Sequence, residues 1–219
     1  MSGSAQQTLE VEPRWPAAIA MLAIAGLQFL LPAHLTIGPG WLLLVLVILL
    51  LIPATILHRR GEHEWNQIFG YAILAVITLD LIASFALLVA GLPAHRESPR
   101  ALLESALGLW LSNTLIFAAW YWRLDAGGPN RRDLRDAHIQ GAFLFPQMAV
   151  DPDLTASLGV RGWRPGFVDY LFLAFNTSTA FSPTDVPVLS RWAKLMMMVQ
   201  ASISLGTVVL LAARAVNVL

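Results

Sequence analysis

The side chains between residues 177 and 185 concentrate oxygen atoms in a short stretch. Thr177, Thr179, Ser182 and Thr184 supply hydroxyl groups, and Asp185 supplies a carboxylate. In membrane pores, oxygen atoms replace part of the hydration shell of a passing ion. The pattern predicts contact with a partly hydrated monovalent cation, with weak discrimination between one such ion and another.

Asp80 is a second candidate, because it lies inside the apolar stretch VITLDLI at residues 76–82. A carboxylate at the centre of a membrane helix costs on the order of 2.5 kcal/mol or more unless it is paired, protonated or beside water. Two interpretations stay open. Asp80 either handles an ion or a proton, or forms a hydrogen-bonded clamp between helices.

Asn113 and Gln200 are the remaining polar candidates within apolar stretches. Amide side chains at such positions more often join helices than bind ligands. They are also candidate partners of Asp80, as are the following residues: Thr114, Ser202, Ser204 and Arg214.

The composition indicates an integral membrane protein. Of the 219 residues, 57% are hydrophobic and 13% are charged, too few polar residues to cover a soluble globule. The net charge of zero gives no basic footprint for nucleic acid. Cysteine is absent, and no nucleophile–base or phosphate-cradling pattern occurs. We expect no enzymatic activity, no cofactor and no metal site.

Apolar segments of roughly 20 residues, enough to cross about 30 Å of hydrocarbon, predict an all-α membrane protein with about five transmembrane helices. The predicted spans are residues 16–33, 40–57, 66–92, 101–122 and 189–218. We divide the chain into a polar N-terminus (1–15), a four-helix region (16–123), a cytoplasmic connection (124–165) and a C-terminal unit (166–219).

The distribution of arginine predicts the orientation. Cytoplasmic loops of membrane proteins carry an excess of Lys and Arg. A cytoplasmic N-terminus leaves Arg96 and Arg100 outside and places these arginines inside: Arg14, Arg59, Arg60, Arg123, Arg131, Arg132, Arg135, Arg161 and Arg164.

The connection at 124–165 is unusually long, and long connections are often functional or mobile. Residues 131–138 could form an amphipathic surface helix, and residues 143–146 could dip into the membrane interface. An ordinary solvated linker is the alternative.

Residues 167–181 form an apolar segment that is short for a membrane span. Segments of this length are more often re-entrant or buried. We therefore predict a re-entrant helix that enters from the cytoplasm, with a full crossing as the alternative.

From Leu171 onward, the sequence resembles the pore region of bacterial potassium channels. Residues 180–184, AFSPT, replace the family's Thr-Val-Gly-Tyr-Gly filter, whose glycines let carbonyls face the ion. Hydroxyl and carboxylate oxygens would have to take that role here. The matching positions are the filter-approach threonines Thr177 and Thr179, the filter-closing Asp185, and Trp192, Lys194 and Gly206 of the inner helix.

The chain as a whole resembles a family of bacterial inner-membrane proteins whose function is not established. The resemblance implies several N-terminal helices, a short helix and a final helix, in the bacterial cytoplasmic membrane. It rests on Phe145-Pro146, Asp169-Tyr170-Leu171-Phe172, Thr184-Asp185-Val186, Arg191 and Asn217.

Three functions follow from these patterns. The first is a channel-like protein assembled as a homo-oligomer, by analogy with channels a tetramer, in contact with lipid and monovalent cations. The second is a non-conducting membrane module that binds a protein or lipid partner. The third is a proton-coupled transporter that uses Asp80, which the lack of inverted repeats disfavours.

Overall fold

The fold was obtained as a computed structural model that describes residues 12–91, 99–135, 138, 141–151, 154–155, 157–159, 163–179 and 185–216. The described part is helical and contains no β-strand. Its α-helices are α1 (Trp15–Leu27), α2 (Trp41–Arg59), α3 (His63–Gly91), α4 (Pro99–Leu124), α5 (Pro129–Asp133), α6 (Phe167–Thr179) and α7 (Arg191–Val216).

Four of these helices are long and apolar enough to cross a membrane. The spans are Trp41–Arg59, His63–Gly91, Arg100–Gly127 and Arg191–Leu210. They begin within three residues of the predicted second to fifth spans, and α7 as a helix continues to Val216, close to the predicted end at 218. Length and hydropathy thus support the prediction of an all-α membrane protein.

The first predicted span, 16–33, is longer than the helix that forms there. α1 ends at Leu27 and continues only as a 3-10 turn over Gln28–Leu30. The chain is extended at Leu31 before Pro32, as expected for a residue that precedes proline. The apolar helical stretch Trp15–Leu30 is therefore shorter than the roughly 20 residues of a comfortable span.

α4 is the central helix, and α1 packs antiparallel to it. The indole nitrogen of Trp122, near the end of α4, donates to Glu12 Oε1 just before α1 at 2.5 Å. At the other end of α1, the carbonyl of Leu27 approaches Gly108, which lies in the first half of α4. α1 therefore covers only the C-terminal two thirds of α4.

α6 also runs antiparallel to α4. The ring of Phe167, at the start of α6, lies 5.9 Å from Trp122, and the ring of Phe175 lies 5.7 Å from Trp110. α7 has the same direction, because Trp192 lies beside Phe143 near the end of α4, whereas Ser204 bonds to Asn113 farther back along α4. α6 and α7 are therefore parallel and begin at the same end of the bundle.

That end of the bundle also carries the arginines at the end of α2 and α4 and on α5. We call it the arginine-rich end, defined by Arg14, Arg59, Arg60, Arg123 and Arg132. Asn66, near the start of α3, donates to the carbonyl of Ala54 in α2 at 2.7 Å, and its own carbonyl accepts from Arg123 at 3.0 Å. These contacts hold α2, α3 and α4 together there.

The turn after α4 allows the connection to fold back on the bundle. Gly128 has φ +92°, and a Cβ at this position would lie 2.7 Å from the carbonyl oxygen of Arg123. The short helix α5 follows, in place of the predicted amphipathic helix at 131–138. Arg132 of α5 is buried and donates to the carbonyl of Trp122 at 2.7 Å. It is thus part of the core, not of a surface face.

Ala142, Phe143 and Phe145 of the connection are buried, so this part is not a solvated linker. Phe143 is fully buried and forms an antiparallel bridge with Val188, just before α7. The bridge includes a 3.0 Å bond from Leu144 N–H to the carbonyl of Pro187. Asp125 accepts from the backbone N–H of Ala142 and anchors the strand-like segment at its start.

Candidate pore region

The start of α6 is fixed by its own sequence and by the end of α4. Asp169, in the first turn of α6, accepts the backbone N–H of Gly166 at 2.8 Å, a common way to satisfy a free helix N-terminus. Burial raises the pKa of Asp169, and the Gly166 bond partly offsets this rise. Tyr170, in the next position, donates to the carboxylate of Asp125 at 2.6 Å.

An aromatic cluster surrounds this start. Phe145 packs edge-on against Tyr170 with ring centroids 5.4 Å apart, and Phe143 packs against Tyr121 at 5.3 Å. Paired aromatic rings in these geometries add stabilisation beyond the area that they bury. The first turn of α6 is thereby held between α4 and the folded-back connection.

Gln200 of α7 holds the last turn of α6. Its side-chain nitrogen donates to the carbonyl of Ala174 at 2.7 Å and to the hydroxyl of Ser178 at 2.8 Å. Its side-chain oxygen accepts from the hydroxyl of Tyr121 at 2.6 Å. Gln200 is fully buried, so each of these bonds satisfies a group that has no access to solvent.

Asn113 extends the same network through α4. Its side-chain nitrogen donates to the carbonyl of Gln200 at 3.0 Å and to the hydroxyl of Ser204 at 2.8 Å. The neighbouring Thr114 donates to Ser178 at 3.2 Å. The structure therefore brings two predicted residues, Asn113 and Gln200, together, and their geometry is that of a joint between helices.

Thr177 and Thr179 lie in the last turn of α6, not in the loop beyond it. The Thr177 hydroxyl donates to the carbonyl of Leu173 and the Thr179 hydroxyl to that of Phe175, each at 2.8 Å. Both oxygens keep a lone pair for another partner. Thr179 is exposed and Thr177 is half-buried.

Asp185 is exposed at the far end of the loop, and no described residue forms a hydrogen bond or ion pair with it. Ser182 and Thr184 lie outside the described residues. Val186, which follows Asp185, is buried beside the Phe143–Val188 bridge. Of the five residues predicted to contact a cation, the structure thus locates three, at the two ends of the loop.

Asp80 lies apart from this region, on α3. Its carboxylate accepts from the side-chain nitrogen of Gln28, in the 3-10 turn that ends α1. Gln28 is buried, and its own side-chain oxygen has no partner. Asn113, Thr114, Gln200 and Ser204, which we predicted as partners of Asp80, bond instead within the α4–α6–α7 network.

The sequence reasoning missed several residues of these sites. Ser178 was not singled out, although it joins Gln200 to Thr114. The predicted span 16–33 includes Gln28 in one continuous helix. It is the one amide in an otherwise apolar run at residues 16–33, which is a usable signal for the partner of a buried acid.

The described residues contain no group of three or more His, Asp or Glu side chains that could hold a metal ion. Comparisons with protein-family models, with curated proteins and with solved structures found no match to this chain.

Proposed function

We propose that this protein is a channel-like integral membrane protein, in which α6 is a re-entrant helix followed by an ion-contacting loop. One observation carries the proposal. α6 and α7 are parallel and both begin at the arginine-rich end, as the contacts of Phe167, Phe175 and Trp192 indicate. The chain between them must therefore return to the end from which α6 started.

The length of α6 supports this arrangement. Its 13 residues correspond to about 20 Å at 1.5 Å per residue, less than the roughly 30 Å of the hydrocarbon core. A polar loop at that depth is tolerated only where protein or water surrounds it. The network around Gln200 provides protein on one side, and an aqueous path would provide the other.

The small number of oxygen atoms in the loop of one chain favours an oligomer. One chain contributes few loop oxygens and a single Asp185, too few to surround an ion without help from other copies. We therefore infer a homo-oligomer, by analogy with channels a tetramer. The exposed apolar residues of α6 and α7 would contact lipid and neighbouring copies: Val168, Phe172, Phe175, Leu195, Met198 and Val199.

A monovalent cation is the favoured ion. Asp185 is exposed and has no described partner, so its charge is available to the loop. The loop lacks the glycines of a carbonyl filter, and hydroxyl groups leave an ion partly hydrated. The expected pathway is weakly selective, in a bacterial cytoplasmic membrane, with the N-terminus and the arginine-rich end in the cytoplasm.

Ion flux into liposomes tests the proposal. Purified protein should carry K⁺ or Na⁺ across the bilayer, and Asp185→Asn should reduce this flux by about tenfold, because one unit charge near the ion is lost. The matched control is Asp151→Asn, which removes an exposed aspartate of the connection.

Three results would contradict the proposal. Absence of flux for every monovalent cation tested would favour the non-conducting module. A monomer or dimer in the membrane would also contradict it, because so few loops cannot surround an axis. Equal flux in the Asp185→Asn and Asp151→Asn variants would mean that the loop does not contact the permeating ion.

A further inference from the structure

A cavity of ≈ 100 Å³ lies between α1, α2, α3 and α4 at the arginine-rich end. Its polar lining comes from Arg14, Thr55, His58, Asn66 and Arg123. It is separate from the loop that follows α6, and none of its residues takes part in the proposed ion pathway.

Arg123 is the most unusual residue of this lining. It is only 6% exposed, and its Nε has no hydrogen-bond partner. Among the described residues its one hydrogen-bond acceptor is the carbonyl of Asn66, and no described carboxylate forms an ion pair with it. A buried cation without an anion is costly, so this charge calls for a counterion.

The backbone of α3 is shaped to receive the Arg123 guanidinium. A Cβ at Gly70 would lie 1.1 Å from Nη2 of Arg123, so any other residue would displace the group. The guanidinium also lies 5.8 Å from the Trp122 ring and 5.9 Å from the Tyr71 ring. Cation–π contacts of this kind stabilise the position of the charge but do not neutralise it.

Arg14 places a second positive charge at the same cavity. Its guanidinium lies 5.7 Å from the Trp122 ring, and its Nε is also buried without a partner. Burial lowers the pKa of Arg14, and nearby Asp133 and Glu12 partly offset this effect.

The carboxylates that contact Arg14 are already shared. Glu12 pairs with Arg14 at 3.2 Å and with Arg132 at 3.0 Å, and Asp133 pairs with Arg14. Two carboxylates therefore serve Arg14 and Arg132, and neither reaches Arg123. The cavity keeps an excess of positive charge.

We propose that this cavity is a binding site for a phosphate group, with Arg123 as its principal ligand and Arg14 as the second. Guanidinium groups match the geometry of phosphate oxygens and bind them with charge-assisted hydrogen bonds. His58 lies on the α2 wall and adds a side-chain N–H donor, whereas the Thr55 hydroxyl in the same wall donates to the carbonyl of Leu51 at 2.8 Å. The volume corresponds to about three water molecules, which suits a compact oxyanion.

Two sources can supply this group. The remaining lining is apolar and includes Ala18, Met21, Leu51 and Ile73, as expected where an acyl chain approaches an anionic lipid headgroup. Basic pockets between helices on the cytoplasmic side are typical sites for such headgroups. Free inorganic phosphate carries the same chemistry without the chain.

Binding to the purified full-length protein in detergent tests the proposal. Trp122 borders both guanidinium groups, so tryptophan fluorescence should respond to added inorganic phosphate. Native mass spectrometry should show retained phosphatidylglycerol in preference to phosphatidylcholine. Binding of either the free phosphate or the anionic lipid supports the site and identifies its source.

The variant Arg123→Gln should weaken this binding by about tenfold or more, the expected effect of losing a charge-assisted hydrogen bond. The control is Arg59→Gln, which makes the same charge change at an exposed residue of the same end and should leave binding unchanged. If Arg123→Gln does not fold, Ala18→Leu fills the cavity without altering a charge and should also abolish binding.

Three results would overturn the proposal. The first is that the wild-type protein binds neither probe. The second is that Arg59→Gln weakens binding as much as Arg123→Gln, which would indicate a diffuse surface effect. The third is full binding by a folded Ala18→Leu variant.

Discussion

Gln200 and Asp80 are both polar residues within long apolar helices, yet their surroundings differ. The Gln200 side chain makes three hydrogen bonds, to Ala174, Ser178 and Tyr121. The Asp80 carboxylate has one described partner, Gln28. The first residue is neutral and satisfied, whereas the second is ionisable and poorly satisfied.

This difference separates two uses of polarity in an apolar environment. A neutral amide with several partners fixes the packing of helices at little electrostatic cost. A carboxylate with one partner keeps a desolvation cost that its surroundings do not offset. We therefore expect Gln200 to support the structure of the α6 region. Substitution of Asp80 should lower the free energy of unfolding less than substitution of Gln200.

The substitution Gln200→Leu should have the largest effect. It removes three side-chain hydrogen bonds and leaves Ser178 and the carbonyl of Ala174 with fewer partners. At roughly 0.6 kcal/mol per bond in membrane proteins, unfolding should become easier by about 2 kcal/mol. Denaturant unfolding in mixed micelles measures this change.

The matched control is Ser202→Ala on the same helix, where the hydroxyl is exposed and bonds only to the carbonyl of Met198. If Gln200→Leu lowers the free energy of unfolding no more than Ser202→Ala does, Gln200 does not hold α6 and the contrast with Asp80 fails.

The substitution Gln28→Leu should have an intermediate effect. It removes the described partner of Asp80 and leaves that carboxylate half-buried in an apolar setting. We expect a loss of about 1 kcal/mol in the free energy of unfolding, as for one hydrogen bond to a charged or polar group.

A double-mutant cycle with Asp80→Leu sharpens this test. If the two side chains interact, the double variant should lose less than the sum of the single losses. Additive losses in the free energy of unfolding would show that Gln28 and Asp80 do not interact.

The substitution Asp80→Asn should have the smallest effect on stability. Asparagine keeps an oxygen that can accept from Gln28 and carries no charge to desolvate. We expect the free energy of unfolding to stay equal or to rise by up to about 1 kcal/mol. In the same unfolding assay, a decrease of more than about 1 kcal/mol in the free energy of unfolding would mean that the charge of Asp80 itself stabilises the fold.

The four long helices were predictable because unbroken apolar runs of sufficient length have few alternatives to crossing a membrane. The predicted 40–57 corresponds to Trp41–Arg59, and the predicted 101–122 lies within Pro99–Leu124. The length of α1 was not predictable from hydropathy, because residues 28–33 stay largely apolar after the helix ends.

The contacts between distant parts of the chain were harder to predict from the sequence. Hydropathy gives no register between helices, so the pairing of Asp80 with Gln28 instead of Asn113 could not be deduced. The burial of Phe143 in the core was not among the expectations for the connection, which were a dip into the membrane interface or a solvated linker, because its partner Val188 lies 45 residues away. The role of Arg123 depends on Gly70, and no motif in the sequence connects these two positions.

The bonds of Gln200 also have a consequence for biogenesis. Ala174 precedes Gln200 by 26 residues, and chains emerge from the ribosome N-terminus first. When α6 is synthesised, Asn113 and Thr114 are already in place, but Gln200 does not yet exist. The last turn of α6 must therefore wait for α7 before it is fixed, so this is a late step of insertion, and nascent chains that stop before Gln200 lack the side-chain bonds to Ala174 and Ser178.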